Sequence, residues 1–530
     1  MNHIIIAPVI LPAVIGALII LWMRSDLLLQ RVFSIAGTML LLGVSLYLAW
    51  LASSGDVLVY RLGNWAAPFG IVLMLDRLAG LMLVLTSVMA LAVQLYAFGS
   101  GWDRKGWHFH ALWQFQLMGV CGAFLTGDAF NLFVFFEILL IASYGLMTHG
   151  GGEMRLRAGV QYIAFNLAGS ILFLAALGVL YSVTGTLNMA DMAARVAAMP
   201  EGDTALLRTG AVMLMLVFAI KASLVPLHFW LPSTYANAPG PVAALFAIMT
   251  KVGVYAIIRF FTLVFPQDTV IESVVMDLLL PAALFTLVLG QLGVMGTRNL
   301  GRMAAYAAIA SVGMLMIAVA QFTPQATSAA LYYMVHSTLA GAALFLVVDM
   351  IGARRGDLWL RADGIMPGNA MIAALFFAST IAMAGMPPLS GFVGKLLVLD
   401  ATRAAPGAVV IWGAVLVTSL IAIYGYARAG SLVFWKAYET GPVKAVIPAN
   451  GAPLWARIPT KLETHEQIQD LGDAASPTLA FVAVWALLAG LVALTVFAGP
   501  AMQFAEATAA QLHDPAGYLS AVLQGQEGTK

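Results

Sequence analysis

A single cysteine, Cys121, is all the thiol chemistry in the 530 residues. One thiol forms no internal disulfide, no Cys-ligated iron–sulfur cluster and no CxxC redox pair, so the chain carries no sequence-visible redox centre. Charge is equally scarce, with Asp, Glu, Lys and Arg making up 10% of the residues, where soluble domains average about 25%. The formal net charge of +1 points neither to nucleic acid nor to an acidic partner. A phosphate loop is missing as well. Gly391-Phe-Val-Gly394-Lys395 lacks the four-residue gap and the following Ser or Thr that such a loop needs. The eight histidines do not cluster, and His108 and His110 fall in a charged stretch that is expected to be solvated surface. No cofactor and no metal is expected.

What the chain has instead is apolar length. It is 62% hydrophobic, with a mean hydropathy of +0.92, and apolar runs long enough for a hydrocarbon core of about 30 Å recur along nearly all of it. The fold class is therefore all-α: a polytopic membrane protein with about fourteen transmembrane helices, counted from apolar length. The first run, Ile4 to Trp22, follows Asn2 and His3 without a basic region or cleavage site, so it is expected to be a retained helix. Later runs include Ile71 to Phe98, Phe109 to Thr126, Pro367 to Thr402 and Pro477 to Ala498, with a short amphipathic piece at Asn188 to Met199. Tyr438 to Ser476 is the one long polar connection and reads as a solvated linker in preference to a partner-docking segment; the polar tail after Pro500 is similarly ambiguous.

The basic residues sort by side. Alternate loops put 16 of the 26 Lys and Arg on one face, from Arg24 to Lys461, and 5 on the other, namely Arg61, Arg195, Arg208, Arg403 and Lys530. Retained cytoplasmic loops carry the excess, so both termini are expected on the non-cytoplasmic side.

The remaining five, Arg77, Lys221, Lys251, Arg259 and Lys395, lie inside spans. An ammonium in hydrocarbon is costly and marks a functional site by default. Lys221 and Lys251 stand at either side of an interruption in FAIKASLVPLHFWLPSTYANAPGPVAALFAIMTKVGVY, where Pro226, Pro232, Pro239, Gly240 and Pro241 forbid a continuous helix. His228 lies within that break as a secondary candidate. Glu137 is mid-span in FNLFVFFEILLIASYGL, and Lys395 in MAGMPPLSGFVGKLLVLD. The bland reading of each is a static ion pair. Three lysines and a glutamate at mid-span, two of the lysines beside broken helices, favour an ion path. His336, in an apolar helix, reads equally well as a satisfied core histidine. Arg259 is expected to snorkel to the interface, and Asp76 to pair with Arg77 at a helix start.

The break recurs at Met386-Pro387-Pro388 with its order reversed: Lys221 precedes its proline, whereas Lys395 follows. Such reversal is what an inverted-topology repeat predicts. The expected organisation is residues 1–108 as N-terminal helices, five-helix repeats at 109–265 and 273–435, a cytoplasmic linker at 436–476, and a last helix with a polar tail at 477–530.

Three stretches, FFEILLIASYGL, KASLVPLHFWLPSTYANAPGPVAALFAIMTKVGVYAIIR and GMPPLSGFVGKL, resemble the antiporter-like proton-channel subunits shared by respiratory complex I and the Mrp-type multisubunit cation/proton antiporters. The chain looks most like the D-type subunit of the Mrp antiporters, including their potassium-efflux branch. The resemblance implies that Glu137 and Lys221 form a coupled pair and that Lys251, His336 and Lys395 continue a polar axis. One complex I relative has a glutamate where this chain has Lys395. It further implies a secondary transporter subunit and not an enzyme, in a bacterial inner membrane, working with other membrane subunits to exchange protons for Na+ or K+. The alternatives are a proton-pumping subunit of an NADH:quinone oxidoreductase or related hydrogenase, and a non-transporting scaffold, which would have no use for buried charges.

Overall fold

The computed structural model describes residues 3–200, 204–265, 270–440 and 477–523. In chain order its helices are α1 (Ala7–Trp22), α2 (Leu27–Ala52), α3 (Arg77–Ser100), α4 (Phe109–Leu125), α5 (Ala129–Thr148), α6 (Glu153–Thr184), α7 (Met189–Ala197), α8 (Ala205–Ala222), α9 (Trp230–Asn237) and α10 (Gly240–Leu263). They continue with α11 (Val270–Gly296), α12 (Leu300–Val319), α13 (Pro324–Arg355), α14 (Asn369–Ala384), α15 (Ser390–Ala401), α16 (Ala408–Gly430), α17 (Ala437–Thr440), α18 (Pro477–Val496), α19 (Ala498–His513) and α20 (Ala516–Leu523). Among the described residues, twelve helical stretches are long and apolar enough to cross a membrane. The protein is thus a multi-pass helical membrane protein. Two of the fourteen expected spans fall short of full length, α4 with 17 residues and α14 with 16.

Local chemistry sets the ends. Asp26, Asp76, Asp128, Asn299 and Thr323 each accept a backbone N–H at a helix start, satisfying one of the orphan donors there. At Asp76 this overturns the expectation of one helix from Ile71 to Phe98. Val72–Leu75 forms strand β2, antiparallel to β1 (Leu58–Arg61) with Leu58 opposite Leu75. A short apolar run reads as helix or strand from periodicity alone, and here a pairing partner decides.

Burial is graded. Every residue of α10 is buried, and α12 and α13 are nearly so; helices apolar all round belong at the centre of a membrane bundle. The flanking helices keep apolar side chains such as Leu28, Ile171 and Leu420 exposed, as a lipid-facing wall requires.

Two cross-connections are built alike. Asp128, at the start of α5, bridges antiparallel to Asn188, and Asn299, at the start of α12, bridges to Trp359. The flanking backbone bonds also match. Ala129 N donates to Leu187 O at 2.8 Å and Met189 N to Gly127 O at 3.0 Å; Leu300 N donates to Leu358 O and Leu360 N to Arg298 O, both at 2.8 Å. One offset of 171 residues relates all of these positions. The tail as far as residue 523, where the sequence was ambiguous, is helical and packed: Arg77 donates from its guanidinium to Ala507 O and from its backbone N–H to Gln511 Oε1, and His513 Nε2 meets Thr327 Oγ1 at 2.9 Å. Of the expected linker, residues 441–476 lie outside the described part of the chain.

Candidate functional site

Helix α8 ends one residue after Lys221. Ser223 takes the left-handed conformation with φ 62°, and Leu224 N turns back to Ala219 O at 2.9 Å. The carbonyl of Ile220 accepts both the Ser223 N–H and the Trp230 indole N–H, each at 3.1 Å, and Thr286 Oγ1 on α11 accepts Val225 N–H at 2.8 Å. Pro226 sits in the break itself. Pro232 does not; it lies in the first turn of α9, where a missing N–H costs little.

Lys221 is buried, and its Nζ donates to Asn166 Oδ1 at 3.2 Å, with the Phe136 ring centre 5.8 Å away. Glu137 accepts a hydrogen bond from Ser170 Oγ. Asn166 and Ser170 are one turn apart on α6, so one helix face holds both partners. The expected Glu137–Lys221 ion pair is not formed in this state: among the described residues no salt bridge joins them, although the charge of Glu137 acts on Lys221. Gly253 brings α10 against the backbone of Lys221 and Ala222, where a side chain would overlap Ala222 N at 2.7 Å.

Lys251, 1% exposed, has no hydrogen-bond or ion-pair partner among the described residues. His336 on α13 is 1% exposed and shares a 2.9 Å hydrogen bond between Nδ1 and Ser390 Oγ. Gly391 leaves no room for a side chain against the other face of the imidazole. Lys251 and Lys395 are the lysines whose charges act on His336. Lys395 donates from Nζ to Ala384 O at 2.7 Å and to Ser419 Oγ at 2.8 Å, across the break at Gly385–Leu389 that holds Pro387 and Pro388. His228 is partly buried, and its enclosed Nδ1 has no hydrogen-bond partner among the described residues.

Three sequence expectations fail. Arg259 does not snorkel: it is 3% exposed and grips Asp76 bidentately at 2.5 and 2.9 Å, braced by the Tyr255 hydroxyl. Asp76 is therefore not the partner of Arg77, whose guanidinium goes to Ser53 O and Ala507 O. His110 is fully buried on α4 and meets Asp103 at 3.3 Å, with Arg31 on the same carboxylate at 2.5 Å. Burial raises the Asp103 carboxyl, but the His110 and Arg31 hydrogen bonds outweigh it and hold the group below its usual range. Asn166, Ser170, Ser390 and Ser419 are partners the sequence reading missed. Asn166 and Ser170 had a signal, two polar residues at helical spacing in an apolar run. Among the described residues no group of three or more His, Cys, Asp or Glu is placed to hold a metal.

Residues 126–422 match the family described as NADH:quinone oxidoreductase/Mrp antiporter, TM. The chain belongs to that family. The D-type subunit of a probable K(+)/H(+) antiporter from Rhizobium meliloti is 36% identical over 99% of this chain and 98% of its own length. The D-type subunit of a Na(+)/H(+) antiporter from Bacillus subtilis is 39% identical over 83% of this chain and 89% of its own. In the solved Mrp complex from Dietzia sp. DQ12-45-1b, one chain superposes with a TM-score of 0.87 at 27% identity, covering 99% of this chain and all of that one. The matched family region spans the stretch from Glu137 to Lys395, both breaks included.

Proposed function

We propose that the chain is the proton-translocating subunit of a multisubunit Na+ or K+/proton antiporter in a bacterial inner membrane, with both termini on the non-cytoplasmic side. The observation that carries this is the set of ionisable groups inside apolar helices, buried Lys221, Lys251, His336 and Lys395 and half-buried Glu137, with a lysine at each helix break. Glu137 and Lys221 act as the switch: the carboxylate sits one α6 turn from the amide that now holds the ammonium. A hydrogen bond to a charged group contributes about 1.5–3 kcal/mol, and 100 mV supplies about 2.3 kcal/mol per charge. Exchanging Asn166 for Glu137 as the partner of Lys221 thus lies within what one ion crossing the membrane delivers. Lys251, His336 and Lys395 relay the proton onward. The matched 171-residue bridges support the inverted repeats at 109–265 and 273–435. Other subunits complete the exchanger. The break residues Pro226, Pro387 and Pro388 are exposed on the isolated chain, and irregular backbone at membrane depth is stable only against protein or water.

The test is made in the assembled complex in vesicles. Glu137→Gln with Lys221→Met should assemble at least as well as either single variant, since both charges of a buried pair are removed together, and should be inactive in cation-dependent proton movement. Exchange near the parent rate by the double variant would refute the switch. Flavin or iron–sulfur absorbance in the purified assembly would favour a redox-driven pump instead.

A further inference from the structure

One carboxylate deep in the bundle has no part in the relay just described. Asp349, toward the arginine-rich end of α13, accepts the Tyr96 hydroxyl at 2.7 Å and the Trp102 indole N–H at 2.9 Å. Gly240, the first residue of α10, packs against its carboxyl group so closely that a side chain there would overlap it. Unlike Lys251 and His336, Asp349 is not fully covered by the rest of the chain. Cations gather around it. Lys105 lies 3.4 Å and Arg155 5.1 Å from the Trp102 ring centre, and Arg354 is on the same helix. Burial pulls the Lys105 ammonium down to about 8 against the opposing charge of Asp349.

From this point α10 and α13 both run to the relay. Gly240 to Lys251 is ~17 Å and Asp349 to His336 ~20 Å along the helices. Both helices are rich in small residues here, Ala243, Ala244 and Ala247 on α10 and Gly341, Ala342 and Ala343 on α13, and Gly341 faces Ala247. Gly341 is buried, yet a Cβ added there would meet nothing nearer than Ala247 Cβ at 3.9 Å. Interiors are normally packed without such slack. The slack lies ~12 Å from Asp349, and Ala247 is one turn before Lys251.

We propose that Asp349 is the cytoplasmic proton-uptake group of this subunit, loading Lys251 along the α10–α13 seam at Gly341. The carboxylate takes a proton from bulk water, passes it through water in the seam to the neutral Lys251 amine, and returns to the anion that Tyr96 and Trp102 hold. This rests on the relay reading, in which Lys251 gains and loses a proton. The bland alternative is a staple joining α3, α10 and α13, and the two predict different behaviour.

Asp349→Asn keeps acceptors for Tyr96 and Trp102 but carries no proton. In the assembled complex in inverted vesicles it should leave subunit content unchanged and lower exchange at least about tenfold, within the range of a lost proton donor. Sodium azide, a small permeant proton carrier, should restore about half of that loss and should not restore Lys251→Met. A near-parent rate in Asp349→Asn overturns the proposal, and so does a defect that azide leaves unrepaired, which assigns the staple. If Asp349→Asn does not assemble, Gly341 decides. Gly341→Ala fits the slack and should stay within about twofold of the parent, whereas Gly341→Leu fills it and should lower exchange about tenfold. Parent-rate exchange by assembled Gly341→Leu overturns the uptake route. Retained exchange in Lys251→Met would instead overturn the relay reading, so the two failures are distinguishable.

Discussion

The two broken helices are made of the same parts in opposite order, and their lysines end in different surroundings. Both first halves close with a left-handed residue, Ser223 at φ 62° and Gly385 at φ 71°, and both turn the next N–H back five residues, Leu224 to Ala219 and Met386 to Ile381. At the first, Ile220 O accepts both the Ser223 N–H and the Trp230 indole N–H, and the Lys221 ammonium reaches sideways to Asn166, within the field of Glu137. At the second, the freed carbonyl of Ala384 is taken by Lys395 itself, with Ser419 beside it. An ammonium held by a fixed backbone dipole has no carboxylate to gain or lose. One held by a side-chain amide, with an acid on the same face, does. In the proposed mechanism this difference puts switching at the first break and a terminal station at the second.

The sharpest way to break this comparison is Lys221→Met in the assembled complex. It removes the charge on which the proposed switch depends and leaves Glu137 with only the Ser170 hydroxyl. Exchange should fall below detection, and an active assembled variant would erase the distinction between the breaks. Lys395→Met should be milder, about tenfold or ~1.4 kcal/mol, because it strands only the Ala384 carbonyl and the Ser419 hydroxyl and no carboxylate. Equal losses in the two lysine variants, measured as initial rates of cation-driven proton movement, would show that position relative to the break does not matter.

Hydroxyl deletions sharpen the same point. Ser170→Ala removes the group that holds Glu137 on α6 and should slow exchange about fivefold, ~1 kcal/mol. Ser419→Ala leaves Lys395 bonded to Ala384 and should change the rate by no more than about twofold. A larger effect at Ser419 than at Ser170 would reverse the assignment of switch and terminal station.

Off the relay, Arg259 and Asp76 show that a charge deep in the bundle can be structural. Arg259 lies two turns beyond Lys251 on α10, yet it ends in a bidentate pair that ties α10 to the start of α3. From the sequence, a long basic side chain near a span end reads as snorkelling, because its partner lies 183 positions away. His110 misled for the same reason: the Asp103 that meets it is seven residues upstream, but their burial depends on α2, which brings Arg31 to the same carboxylate.

What the sequence by itself determined follows from the solvent. Hydrocarbon demands helices long enough to span it and penalises every buried charge, so the multi-pass helical class, the two interruptions and the isolated Glu137, Lys221, Lys251 and Lys395 are legible one residue at a time. Proline removes the same backbone donor in any fold, which is why both breaks fall where the sequence puts them. Pairing is different, because it depends on which helix faces lie side by side. Only the tertiary structure decided that Lys221 rests on Asn166 while Glu137 rests on Ser170, that Lys395 caps Ala384, and that Val72–Leu75 pairs as a strand. It alone placed Asp349 beside Tyr96 and Trp102, with slack in the packing between it and Lys251. Each of these is a contact between separate helices, strands or loops, and its strength is set by distance and burial, to which the identity of a residue is blind.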